Sequence, residues 1–177
     1  MRFIGGLSLF ELLVTLVIVS VLLSLAAPSF SQLIAEQRLR QAITELRISL
    51  MTARSEAVKR SQGVALIKSG SDWGTGWCVE TGANATCSSQ PIQQVSIGAE
   101  GITVAKDGEV DGGPLLFNAL GRVSGCPEFT LTATVAGASC KLCLVVSTDG
   151  RVQSHSGDCP EECTPADEAV SWPGSCS

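Results

Sequence analysis

The stretch that decides the fold is "GGLSLFELLVTLVIVSVLLSLAA", residues 5–27. About 20 residues of helix, rising 1.5 Å each, suffice to cross the hydrocarbon core of a bilayer. This run is long enough, yet a carboxylate, Glu11, sits near its start. An ionised group in hydrocarbon costs at least ~2.5–3.5 kcal/mol, so such residues usually mark function. A removable secretory signal is the simplest reading of an apolar amino-terminal run. It fits poorly here, because only Arg2 precedes the run, the run is too long, and Glu11 interrupts it.

No charge occurs between residues 12 and 35, and Pro28 closes the most apolar block. A proline inside a helix removes one hydrogen bond and bends the rod. Beyond it, Leu39, Ile43, Leu46, Leu50, Ala53 and Ala57 recur at alternating steps of four and three. That spacing puts them on one face of an amphipathic helix, with Arg and Glu on the others. Residues 7 to about 60 therefore read as one long helix, apolar all round at first and then striped. The stripe needs something to pack against.

Past the helix the period changes to that of β structure. "GVALIK" (63–68), "GWCVE" (76–80), "GITVA" (101–105), "PLLFN" (114–118), "FTLTATV" (129–135) and "KLCLVVS" (141–147) are short runs rich in Val, Leu, Ile, Thr and Phe. Clusters of Gly, Asp, Asn and Ser separate them, as in a meander of antiparallel strands. "TDGRV" (148–152) adds a turn and a further short strand. A helix first and strands afterwards make the class α+β. From Gly157 onward, "GDCPEECTPADEAVSWPGSCS" is rich in Pro, Cys and acid. It reads as an irregular tail stapled by its own cysteines.

Across 177 residues there is room for one modest domain beside the apolar segment. Five Phe, three Trp and no Tyr leave the core to Leu, Val, Ile and Ala. The chain has 12 Lys and Arg against 17 Asp and Glu, but unevenly placed. Arg38, Arg40, Arg47, Arg54, Lys59 and Arg60 outnumber Glu36, Glu45 and Glu56 on the striped helix, whereas everything after residue 60 carries five cations and thirteen anions. Such a head repels a polyanion unless a local basic patch prevails.

The eight cysteines, at 78, 87, 126, 140, 143, 159, 163 and 176, all lie beyond the apolar segment. Their even number on one side of it points to an oxidising compartment and disulfides. Roughly a hundred connectivities are open, so pairing is not readable in general. Cys78 and Cys87 flank a turn-rich segment and are the first pair to expect. Cys140-x-x-Cys143 and Cys159-x-x-x-Cys163 also have zinc-compatible spacing, but His155 is the only histidine and the compartment favours disulfides. We therefore expect no metal, no cofactor and no catalytic residues. His155 has no nucleophile beside it and reads as a solvated turn residue. Trp73 and Trp77 read as core, and Asn84-Ala85-Thr86 as a chance glycosylation sequon.

"GLSLFELL" (6–13) resembles the class III signal of type IV pilins and type II secretion pseudopilins. "ARSEAVKR" (53–60), "WGTGWCV" (73–79), "LLFNALGRVSG" (115–125) and "CLVVSTDGRV" (143–152) are similar to the GspH/FimT group within them. The resemblance implies a type IV pilin-like fold: a long helix whose second half packs on a β-rich head of antiparallel strands. It implies a leader, residues 1–6, that a prepilin peptidase removes after Gly6, leaving Leu7 as a methylated amino terminus and Glu11 as the fifth residue. Leu7 and Ser8 stand where Phe or Met and Thr are usual. The implied organisation is a transmembrane and assembly helix over 7–35, an amphipathic helix over 36–60, the head over 61–156 and the Cys-rich tail over 157–177.

The same resemblance implies a single-pass protein of the bacterial inner membrane with a periplasmic head. Its helix later enters a filament built of other pilins or pseudopilins, where Glu11 faces a partner's charged amino terminus. The function expected is a minor pilin of FimU/FimT type that helps prime pilus assembly. Pseudopilin H of type II secretion is the alternative. A third reading, DNA uptake, comes from FimT-like proteins that bind DNA through a Gly-Arg-x-Arg element. Here Arg122 and Arg151 are the candidate contacts, but Gly121-Arg122-Val123-Ser124 and Gly150-Arg151-Val152-Gln153 both lack the second arginine.

Overall fold

A computed structural model of the chain describes residues 8–82, 86–98, 101–107, 112–135 and 138–160. The side chains of residues 24–30, 135 and 138 are excepted. Gly6, Leu7, Asn84, Cys163, Cys176 and the side chain of Pro28 thus lie outside the described residues.

One helix, α1 (Leu9–Arg60), takes up 52 residues and remains helical through Pro28. Its end is set by Ser61, which adopts a left-handed conformation (φ 53°), while the backbone N–H groups of Ser61 and Gln62 reach the carbonyls of Val58 and Ala57. This satisfies carbonyls that the last turn would leave bare. Lys59 and Arg60 oppose the negative end of the helix dipole and both pair with Glu56.

The stripe predicted from the sequence is the buried face. Leu39, Ile43, Leu46, Leu50, Ala53 and Ala57 are all excluded from solvent, and Ala42 and Ser49 join them. Two sheets close over this face. The first has the strands β1 (Val64–Lys68), β2 (Gly76–Thr81), β3 (Gln93–Ser96) and, after the strand β4 (Ile102–Lys106) of the other sheet, β5 (Leu115–Phe117). Its spatial order is β3-β2-β1-β5. The second joins β4 to β6 (Glu128–Val135), β7 (Ala138–Val146) and β8 (Val152–Ser156), in the order β4-β6-β7-β8. Every pair is antiparallel.

The simple meander is therefore corrected: β5 returns to lie beside β1, and β4 crosses to the other sheet. Alternation decides which side chains face inward. Which strand lies beside which depends on how two inner faces close over α1. β3 also escaped the sequence pattern, because Gln93-Gln94-Val95-Ser96 carries one apolar residue. It forms a half-exposed edge, where polar side chains blunt an open ladder.

Alternate strand residues complete the core: Val64 and Leu66, Trp77 and Val79, Leu115 and Phe117, Val104, Phe129 and Leu131, Leu142 and Leu144. Trp73 stands edge-on to Phe129, ring centroids 5.1 Å apart, and donates its indole N–H to the Gly112 carbonyl at 2.9 Å. Trp77 donates to the hydroxyl of Ser49 on α1 at 2.8 Å. Both indoles are thus core groups with their one donor satisfied.

Full burial of a Leu or Ile is worth about 1.5–3 kcal/mol, and truncation adds a cavity term. Leu46→Ala should lower the unfolding free energy of the head by about 2–5 kcal/mol. Ile48→Ala, two residues away but 47% exposed, should change it by under about 1 kcal/mol. Denaturant unfolding followed by tryptophan fluorescence reads both, and equal losses would mean that the buried face is misassigned.

Candidate functional site

The first half of α1 makes a rod with no apolar partner among the described residues. From Leu9 to Leu23 each large apolar side chain is exposed, ranging from 40% at Val14 to 79% at Leu9. Leu33 and Ile34 continue it. A single chain in water keeps no such surface without a use for it. Among the described residues no helix is long and apolar enough to cross a membrane, the described side chains ahead of Ser31 being those of 8–23.

Polar groups along the rod turn inward on its own backbone. Thr15 donates to the Leu12 carbonyl and Ser20 to the Val17 carbonyl, both at 2.8 Å. Such bonds remove hydroxyls from competition with an apolar medium. Glu11 differs. It lies in the first turn, exposed, with no partner for its carboxylate among the described residues. The helix starts at Ser8, whose carbonyl accepts from Leu12 N–H at 3.1 Å and whose hydroxyl makes no cap bond. The carboxylate complements the positive end of the dipole, worth about 0.3–1 kcal/mol, and is otherwise free to meet a cation.

A second constellation sits where the two Gly-Arg-Val segments turn. Asn118–Arg122 and Ser147–Arg151 fold alike. In each, the first residue's N–H donates to the fifth residue's carbonyl (2.9 Å in both), and the glycine N–H donates back to the first carbonyl, at 2.8 and 2.7 Å. Both glycines have positive φ, 71° at Gly121 and 79° at Gly150. A Cβ on Gly150 would meet the Gly121 carbonyl oxygen at 2.1 Å, and one on Gly121 would press on Val58 and Arg54 of α1. Val123 N–H reaches the Thr148 carbonyl at 3.3 Å, and Arg54 Nη2 donates to the Asp149 carbonyl at 2.8 Å. The pair of turns is a clasp joining the end of the first sheet, the second sheet and the helix.

The clasp brings Arg122 and Arg151 to one corner, beside Arg54. Arg151 Nε donates to Asp149 Oδ2 at 2.6 Å, and this bond, first among the causes, holds the Asp149 carboxyl below its usual value. Arg122 is exposed, and its guanidinium has no hydrogen-bond or ion-pair partner among the described residues, its backbone alone being bonded to Asn118. It borders an open cleft of about 480 Å³ with Lys106, Asp107 and Pro127. Nothing in the sequence singles out Arg54. Its partner lies 95 residues away, and no local pattern announces such a contact.

Cys78 and Cys87 are joined, Cα atoms 5.9 Å apart, and Glu80 fixes the same loop by accepting from Ser88 N–H at 2.5 Å. Cys143 is joined to Cys159 across 5.2 Å, so these two sulfurs are bonded to each other rather than held as zinc-binding thiolates. The tail is thus not closed on its own cysteines alone, since the first of them bonds a central strand. Cys126 and Cys140 are also disulfide-bonded. His155 is not a turn residue. It lies in β8 opposite Cys143, with Nε2 buried and unpaired.

Residues 42–150 match the family model described as type II transport protein GspH. The fold is similar to that of the type IV minor pilin FimU of Pseudomonas aeruginosa. In one crystal form the TM-score is 0.55 at 22% identity, covering 72% of this chain and 96% of that one. In a second crystal form it is 0.49, also at 22% identity, covering 71% and 99%. No curated protein matches the chain.

Gly150→Ala should destabilise the head by several times the ~1 kcal/mol of left-handed strain, because backbone oxygen blocks the new Cβ. Gly157→Ala, with φ 88° and nothing within 4 Å among the described residues, should show the strain alone. Equal losses in thermal unfolding would remove the clasp. A second expectation concerns Asp149. With its carboxyl held below the usual value, the Arg151 contribution is complete above the ordinary carboxylate range and fades as pH falls through the lowered value. Any stability difference between wild type and Arg151→Gln should therefore vanish at acid pH, and a difference that grows there would contradict the pairing.

Proposed function

Because the chain belongs to the GspH family of type II transport proteins, we propose that it is a pilin-type filament subunit, and more narrowly a minor pilin of a type IV pilus. The observation that carries this is the exposed apolar rod of α1 with Glu11 in its first turn. Pilin-family proteins assemble with one another, and such a rod is suited to two apolar surroundings in turn: a bilayer before assembly and a bundle of like helices after it.

In this reading a prepilin peptidase cuts after Gly6, the amine of Leu7 is methylated, and the head lies across the inner membrane where thiols are oxidised. On leaving the bilayer, Glu11 meets the ammonium of a neighbouring subunit's Leu7. Each charge alone in a low-dielectric core is costly, and leaving one unpaired there costs about 3–5 kcal/mol. The pair thereby sets the stagger between subunits. Thr15 and Ser20 add nothing to this cost, since their hydroxyls are already bonded within the rod. Pro28 marks the passage from rod to striped helix.

The description of the matched family favours a second reading, a pseudopilin of type II secretion. The mechanics are the same and the filament differs. Contact with DNA through Arg122 and Arg151 has less support. Arg151 is already paired with Asp149, and the chain beyond residue 60 is strongly acidic.

Glu11→Ala should leave the protein folded and in the membrane fraction but absent from sheared filaments. Wild-type incorporation by this variant would overturn the role of Glu11. Deleting the gene should abolish twitching and surface pili; intact pili with failed exoprotein secretion would select the pseudopilin instead. In a gel-shift at low salt the purified protein should not retard DNA, and a complex that weakens as salt rises would revive the DNA reading.

A further inference from the structure

Two disulfides of the head sit in opposite chemical settings. Cys78–Cys87 is packed with Ala65 and Ile67 on the outer face of the first sheet. The buried Glu80 stands two residues along β2 on that same face, and its carboxylate accepts from the N–H of Ser88, the neighbour of Cys87. Apolar surroundings and a nearby anion both disfavour a thiolate, so this bridge resists opening.

Cys143–Cys159 has another kind of neighbour. Leu142 and Leu144 point into the core, so Cys143 between them lies on the outer face of the second sheet. Its cross-strand neighbours are Thr130 on β6 and His155 on β8. Directly opposite residues have Cβ atoms ~4.5–5.5 Å apart, which sets the imidazole beside the buried sulfur. Its Nε2 is buried and bonded to nothing among the described residues. The Thr130 hydroxyl lies 3.4 Å from Cys159 Sγ. The other charged groups of this face are Glu128, level with Val145, and Lys141, which is paired with Asp158 at 2.6 Å. From β4 the face receives only Thr103 and Ala105.

We propose that Cys143–Cys159 is an exchange-active bridge, a substrate for a dithiol oxidoreductase, with His155 as the proton donor. Cys143 is fully buried and Cys159 is partly exposed, so an incoming thiolate meets the Cys159 sulfur. A bond forms between the reductant's sulfur and Cys159 Sγ as the Cys143–Cys159 bond breaks. Cys143 leaves with the electron pair and takes a proton from His155, and a leaving thiol of lowered pKa leaves faster. The reductant's second thiolate then attacks the first one's sulfur in the mixed disulfide. Cys159 leaves, with the Thr130 hydroxyl donating to it, and takes its proton from solvent. Two electrons and two protons thus pass from the dithiol to the bridge, and the reductant becomes a disulfide. The reverse sequence closes the bridge through the same groups.

The test uses the full-length protein in detergent, with dithiothreitol as the probe. Samples are stopped with acid, denatured, labelled with a maleimide and cut with trypsin. Peptide 142–151 then carries Cys143 alone, and peptide 69–106 carries Cys78 and Cys87. Label should enter Cys143 roughly tenfold faster than it enters peptide 69–106. Equal rates, or earlier opening of Cys78–Cys87, would overturn the proposal, and this comparison needs no substitution. His155→Gln should slow the opening of Cys143–Cys159 towards the Cys78–Cys87 rate. His155→Lys, which restores a cationic proton donor, should recover it. A packing role predicts the opposite order, because Gln is nearer to His in size. That order, or no change in His155→Gln, would remove His155 from the reaction. An unchanged Cys78–Cys87 rate in both variants shows that the head stays folded.

Discussion

Neither sheet keeps its inner face dry without the second half of α1. Leu39, Ile43, Leu46, Leu50, Ala53 and Ala57 lie between strands of both sheets, so the helix is the layer on which the head is assembled rather than an appendage to it. Apolar burial sets which face of the helix turns inward, but being non-directional it leaves the bearing of that face coarse. The Trp77 indole bonded to Ser49 supplies direction. A buried donor left without its acceptor costs about 1–3 kcal/mol, and only one rotation of α1 presents the hydroxyl.

The clasp of Gly121 and Gly150 complements that core from outside. Sheet-on-helix packing leaves sheet corners free to splay, and here two turns of the same form are locked together by Val123, Thr148 and the guanidinium of Arg54. Both turns need glycine for a backbone reason and a steric one, the steric one harder at Gly150 because backbone oxygen stands in the way. The arginine after each glycine is exposed to solvent, and the one that precedes them in the chain does the holding. Charge at this corner is accordingly structural first.

How much of this could be read from the sequence depended on range. The stripe of α1 was legible because it repeats within one helix. The Cys78–Cys87 bridge was legible because a short turn-rich segment brings its ends together. Most strands showed their period, and β3 did not, since an edge strand needs few apolar residues. The order of strands, the Arg54 contact with Asp149 and the bond from Cys159 to Cys143 were invisible. Each joins residues far apart in the chain, and single-sequence periodicity carries no information about such partners. His155 looked solvated because its neighbours are Ser and Gly; its strand is defined by the ladder to β7. At the candidate site Glu11 stood out because a lone carboxylate in an apolar run violates the expectation for that run.

α1 also behaves as a drive shaft. It is one unbroken helix from Leu9 to Arg60, and hydrogen-bonded helices resist twisting along their length. The rotational lock at Ser49 therefore fixes not only how the head is packed but also the compass bearing of the head around any bundle that the first half joins. A substitution wholly inside the core, at Ser49 or Trp77, would loosen the bearing of the head about the helix axis while leaving every surface residue unchanged.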